Sequence, residues 1–171
     1  IRQLLEHGGI RAELDNERGF DHGVYVPLKL MYPDVGIPCV QLSLVRDLEP
    51  ELHLRIGECL STLRQQNILL LGSGFSFHNM RAFSLRGNAA PDPMNAEFED
   101  WLEETCTRPD LTEEQRRCRL IDWAAAPHAR YCHPREEHLL PLHICYGAAG
   151  SAAARALRLR VLGKQTSAFL W

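Results

Sequence analysis

Hydrophobic and polar positions change period several times along the chain, and each change marks an element. Ile1, Leu4 and Leu5 share one helical face that stops at Gly8-Gly9. Residues 10–14 alternate weakly, as a short strand would, and 15–20 are polar and loop-like. Residues 24–31 are largely apolar and predict a mostly buried helix begun at Asp21 or Gly23, with Pro27 in or near its first turn. Pro33-Asp34-Val35-Gly36 is turn chemistry. The clearest strand is 38–45, P-C-V-Q-L-S-L-V. Asp47 then caps a helix with Pro50 in its first turn and a core stripe of Leu52, Ile56, Leu60 and Leu63. The apolar run 68–71 predicts a buried strand, broken by Gly72-Ser73-Gly74. Strand, helix and strand over 38–71 make a βαβ unit, which implies parallel pairing.

The second half is richer in helix. A polar loop with Pro and Gly spans 86–94, and Asn95 is placed to cap a helix carrying Phe98, Trp101 and Leu102. Thr112-x-x-Gln115 is a capping box for the next helix, with Leu120, Ile121 and Trp123 inward and Pro127 ending the region. His133-Pro134 opens a further segment that ends at Gly147. Residues 156–162 and 166–171 predict two strands paired antiparallel at a sheet edge. The pattern as a whole predicts one α/β domain over 1–171, a mostly parallel or mixed sheet with helices on both faces.

Composition narrows the partners. Net charge is −3 and no basic tract is visible, which argues against nucleic acid. No apolar run approaches a membrane span, and no signal-peptide pattern opens the chain. The six cysteines are irregularly spaced without a C-x-x-C pair, so a zinc ribbon is not expected. They read as reduced thiols of a cytoplasmic protein, several buried as small hydrophobes. The chain opens on Ile1 within a helical pattern, which points to a fragment or to removal of something upstream.

The eight histidines are the richest chemical signal. His78 follows a strand and a glycine turn, where α/β sheets place ligands, although an ordinary loop histidine fits equally. His128, His133, His138 and His143 recur every five residues, a step of about 500° on a helix, so they share no face. Glu136-Glu137-His138 sets two carboxylates beside an imidazole; a charged first helical turn is the plain alternative. His7 and His53 read as surface residues and His143 as a satisfied core histidine. Neither Ser73 nor Ser76 has the flanking glycines of a nucleophile elbow, and the phosphate-loop and dinucleotide patterns fail as well.

Three stretches together carry a resemblance: F-D-H-G-V-Y-V-P-L-K-L-M-Y-P-D from Phe20, followed by P-C-V-Q-L-S-L; G-S-G-F-S-F-H-N-M-R from Gly72; and H-P-R-E-E-H-L-L-P-L-H from His133. In this order they resemble the LigB-like class III extradiol ring-cleavage dioxygenases, in the branch of the 4,5-DOPA dioxygenases. The resemblance implies a mononuclear non-haem metal site, Fe(II) for catalysis with zinc possible in its place, and O₂-dependent cleavage of a catechol-type substrate. His138 matches the C-terminal metal ligand, and Glu137 is the fallback. His78 matches a histidine that binds metal in some members and acts as acid and base in related enzymes. His22 matches a second acid/base or substrate-contacting histidine. Two further family motifs, a Gly-His-Gly turn and a Ser-His-Trp strand end, do not occur here. The resemblance therefore implies the C-terminal portion of the fold, with the first strands of the sheet missing and no turnover from residues 1–171 alone. A homo-oligomer is compatible with it. The rival expectation is a truncated, inactive remnant serving as a binding or dimerising module.

Overall fold

The computed structural model describes residues 1–34, 36–83 and 90–171, so Val35 of the expected turn and residues 86–89 of the expected loop lie outside the described residues. The chain is α/β and rich in helix. Its helices are α1 (Arg2–His7), α2 (His22–Met31), α3 (Pro50–Leu60), α4 (Pro93–Thr107), α5 (Glu113–Ile121), α6 (Ala129–Cys132) and α7 (Leu140–Ala149). Strands β1 (Arg155–Val161) and β2 (Lys164–Leu170) pair antiparallel, with Arg155 opposite Leu170 and Val161 opposite Lys164. Leu162 and Gly163 join them at φ 48° and 83°, the left-handed pair that a tight hairpin needs. Among the described residues no helix is long and apolar enough to cross a membrane.

The core forms where α3 crosses α7. A Cβ on Gly57 would lie 2.1 Å from the Ile144 carbonyl oxygen, and one on Gly147 would lie 2.1 Å from that of Leu54. Glycine at both places lets the two backbones touch. The larger core cluster gathers Leu54, Phe77, Phe98, Leu102, Leu120, Trp123 and Leu139, and the smaller one Leu5, Ile56, Leu60 and Leu63.

Several expectations need correction. Residues 38–45 and 68–71 are not strands: β1 and β2 form the one sheet among the described residues, and it is antiparallel. A strand takes its hydrogen bonds from a neighbouring strand, and among the described residues neither segment has backbone hydrogen bonds of that kind. Val40 and Leu69 are accordingly 74% and 64% exposed. Helix α2 forms as expected but has no buried residue, because one side of it, with Tyr25, Val26 and Leu30, is exposed. Its start at His22 puts Pro27 in the second turn, near the first as expected. Glu49, not Asp47, precedes α3, with Pro50 in the first turn. Asp92, not Asn95, caps α4; Asn95 is buried and instead pairs with the edge of β2, bonding Gln165 O at 3.0 Å and Gln165 N at 2.7 Å. The capping box of Thr112 and Gln115 forms in both directions.

His53 is fully buried rather than on the surface. Its Nδ1–H donates to Glu49 O at 2.6 Å and its Nε2 accepts from Val45 N at 3.1 Å, which fixes one neutral tautomer. Position 53 precedes Ile56, Leu60 and Leu63 by three, seven and ten residues, the period of the buried stripe, so the sequence did carry this signal.

Candidate active site

The segment leading to His78 runs against the start of α7. Phe75 N donates to His138 O at 2.8 Å, and a Cβ on Gly74 would lie 2.3 Å from that same oxygen. Only glycine permits this approach. Ser76 and Phe77 are buried, and His78 N donates to Cys132 O at 2.9 Å. Asn79 locks the far side: its Nδ2 donates to Tyr131 O at 2.8 Å and its Oδ1 accepts from Arg81 N at 3.2 Å, capping a single 3₁₀ turn, Met80–Ala82. The backbone on both sides of His78 is therefore fixed to α6.

His138 belongs to the turn that precedes α7, where Leu139 N and Leu140 N both donate to Glu136 O. The charged trio 136–138 thus lies outside the helix, and the plain reading of a first helical turn does not hold. The imidazoles of His78 and His138 stack with centroids 3.3 Å apart and planes 16° from parallel. Glu137 stands beside them, its Oε1 3.7 Å from His138 Nδ1. One donor atom from each of His78, Glu137 and His138 falls within 4.8 Å of the others, the one such group of potential metal ligands among the described residues. His138 Nδ1 and Glu137 Oε2 are buried without a hydrogen-bond partner, although Arg135 Nε forms an ion pair 3.0 Å from that Oε2. Unpaired buried donors and acceptors are rare, and a bound cation is one way to satisfy them. A cavity of about 450 Å³, lined by His78, Asn79, Arg81, Arg135 and Glu137, opens beside the pair.

Burial, and then the charge of the stacked His78, hold His138 below the usual histidine range, while Glu137 pulls the other way. A neutral His138 at pH 7 is the form that ligates a metal. His22 is exposed at the start of α2, and its charge also acts on His138. The start of α2 reaches the glycine turn, since a Cβ on Gly23 would lie 3.5 Å from Ser73 Oγ. Asp21 ties this end to residue 41 through Gln41 Nε2, at 2.6 Å. The structure thus joins His78 with His138 directly and brings His22 to their border.

Two further histidines belong to the core. His143 is fully buried, its Nε2–H donating to Leu120 O at 2.8 Å, as expected of a core histidine. His133 is buried too and donates to Ser76 O at 2.6 Å. Burial pushes both down to about 4. His128 pairs with Glu97 at 3.0 Å on the surface. Sequence reasoning did not single out Asn79 or Arg135 for the cavity. Their adjacency to His78 and Glu137 in the chain was the available signal.

Comparison with known proteins finds likeness along nearly the whole chain. Residues 1–169 match the family model described as the catalytic LigB subunit of aromatic ring-opening dioxygenase. The chain is 35% identical over 150 residues to the 4,5-DOPA dioxygenase extradiol of Mirabilis jalapa, covering 88% of this chain and 54% of that protein. It is 39% identical over 142 residues to the dioxygenase tasH of Hapsidospora irregularis, covering 80% and 44%. The crystal structure of an uncharacterized protein from Escherichia coli K12 superposes with a TM-score of 0.81 at 29% identity, covering 96% of this chain and 69% of that one. The chain spans about half the length of the curated relatives it matches.

Proposed function

This chain belongs to the LigB family of aromatic ring-opening dioxygenases, and we propose that it carries the metal-ligand and proton-transfer side of an extradiol site for a catechol such as DOPA, with O₂ as co-substrate. The observation that carries this reading is the stacked His78–His138 pair beside Glu137, with donor atoms within 4.8 Å of one another. Imidazole and carboxylate are the donor types that suit non-haem Fe(II). His138 and Glu137 would hold Fe(II), or zinc in its place, with His78 in reach. Bound there, Fe(II) supplies the open coordination positions for catechol and O₂ and the redox chemistry that opens the ring.

The chain's own residues supply the rest. His78 sits on a backbone fixed at both ends, so its ring can take a proton from a catechol hydroxyl and return it later in the reaction. His22, exposed at the cleft border, is placed as the second proton-handling or substrate-contacting group. Arg81 and Arg135 make the cavity mouth cationic. The stacked His78 also opposes a charge on His138.

The test is ring cleavage. Within a protein of the relatives' full length, loaded anaerobically with Fe(II), these residues should turn DOPA or another catechol into a coloured ring-opened product in air. Residues 1–171 alone should give none. His138→Ala should lose metal. His78→Ala should keep more of it and slow turnover by about 10²–10⁴. Equal metal loss in the two variants would make His78 a ligand instead, and the absence of product from any catechol would overturn the reading.

The exposure of Leu30, Val40 and Leu69 favours a second reading, an inactive module that associates through such exposed apolar residues. Sedimentation showing a stable dimer, together with no turnover in the longer protein, would select it.

A further inference from the structure

Behind the cavity, Ser76 is where several elements meet, two residues before His78. Its carbonyl accepts from His133 at 2.6 Å, and its Oγ accepts from Ser167 N of β2 at 2.8 Å. Ser167 Oγ–H donates in turn to Glu99 Oε2 at 2.5 Å, and the Ser76 hydroxyl faces the same carboxyl group. Glu99 is fully buried on α4, and its Oε1 has no hydrogen-bond partner. A carboxylate with one oxygen unpaired in an apolar interior is costly to ionise, whereas the neutral acid is not.

The groups around Glu99 do not offset that cost. Arg158 acts from β1 but is already paired with Asp100 and Glu103. Asp100 on the same helix opposes ionisation. The Cys106 and Cys132 thiols, which sense Glu99, are pushed up by burial to about 12 and stay neutral. Burial raises Glu99 to about 7, against the pull of the two serine hydroxyls and Arg158.

We propose that Glu99 is a positioning residue for the candidate active site: through Ser167 it clamps Ser76 to β2 and so sets where His78 meets His138, and a change of its charge alters the hold of that clamp. The importance of that meeting rests on the proposed function; the clamp itself does not.

The test uses the 171-residue chain with Glu99→Gln and Glu99→Ala. Amide and carboxyl resonances would be followed from about pH 5.5 to about pH 8.5, a range that spans the raised titration. In the wild type the Ser76, Phe77 and Ser167 amides should move together with the Glu99 carboxyl carbon. Glu99→Gln, a permanent neutral isostere, should hold their low-pH positions throughout. Zn²⁺ alone should bind about 10-fold more weakly to Glu99→Ala, the lower end of what losing an outer-shell partner costs, and Glu99→Gln should restore it. The inference falls if those amides follow only the histidine titrations, alike in wild type and Glu99→Gln. It also falls if Gln weakens Zn²⁺ as much as Ala does. Failure of every variant to bind Zn²⁺ would count against the functional reading alone, and the amide shifts would still decide this one.

Discussion

Two regions of the chain have similar apolar sequences and different fates. At α7, Leu139, Leu140, His143 and Tyr146 are all at most 4% exposed. At α2, Leu30 is 80% exposed and Tyr25 53%. Both are ten-residue helices with a proline among apolar neighbours. The difference lies in what covers them. α7 meets α3 backbone to backbone at Gly57 and Gly147, and residues 72–75 lie along its start. No described element packs over the outer side of α2. Apolar sequence earns burial only where a partner surface exists, and the candidate site has formed on the side that has one.

The largest effect should come from breaking the covered side. Gly147→Leu would drive a side chain into the Leu54 carbonyl, a backbone atom that cannot step aside. Its cost should lie at or above the top of the usual overpacking range of about 1–3 kcal/mol, read by urea unfolding. Next is His143→Ala, which leaves the Leu120 carbonyl without its donor and should cost about 1–3 kcal/mol. Metal binding should survive it in whatever fraction stays folded, because His143 points away from His138 into the core.

The pH dependence sharpens the same contrast. His133 and His143 titrate near 4 in the folded chain and near 6.5 when unfolded. The unfolded state binds more protons between those values, so their contribution to stability is present above 6.5 and lost as pH falls toward 4. Glu99 acts oppositely: its contribution is full below 4.5 and lost as pH rises through about 7. Two histidines against one carboxyl group give a net rise in stability from about pH 4.5 to 6.5, measurable as the urea midpoint. The smallest effect should be Leu30→Ser on the uncovered helix, within about 0.5 kcal/mol. A loss comparable to that of His143→Ala would mean that the α2 face is covered in solution.

Local chemistry was the part legible in sequence. The Thr112–Gln115 capping box, the β1–β2 hairpin, the core role of His143 and the existence of α2 and α3 all follow from residues close together in the chain. What failed depended on distant partners. Residues 38–45 and 68–71 have strand composition, but strand status needs a neighbouring strand, which no local window contains. Asn95 has a capping side chain, yet β2, seventy residues later, claims it. Of the site, the motifs pointed to His22, His78 and His138, and Glu137 stood as a fallback beside them. The stack, the orphaned Nδ1 and the Glu99–Ser76 clamp arise only when segments far apart in sequence meet.

The central claim is that Glu137 and His138 hold a cation with His78 beside it. Zn²⁺ titration of the chain, followed through the ring resonances of its eight histidines, tests it most directly. The account predicts that His138 and His78 respond together and saturate at one ion per chain, that His53, His133 and His143 do not move, and that His138→Ala abolishes the response. A response confined to exposed His7 or His128, with His138 unmoved at saturating Zn²⁺, would contradict it.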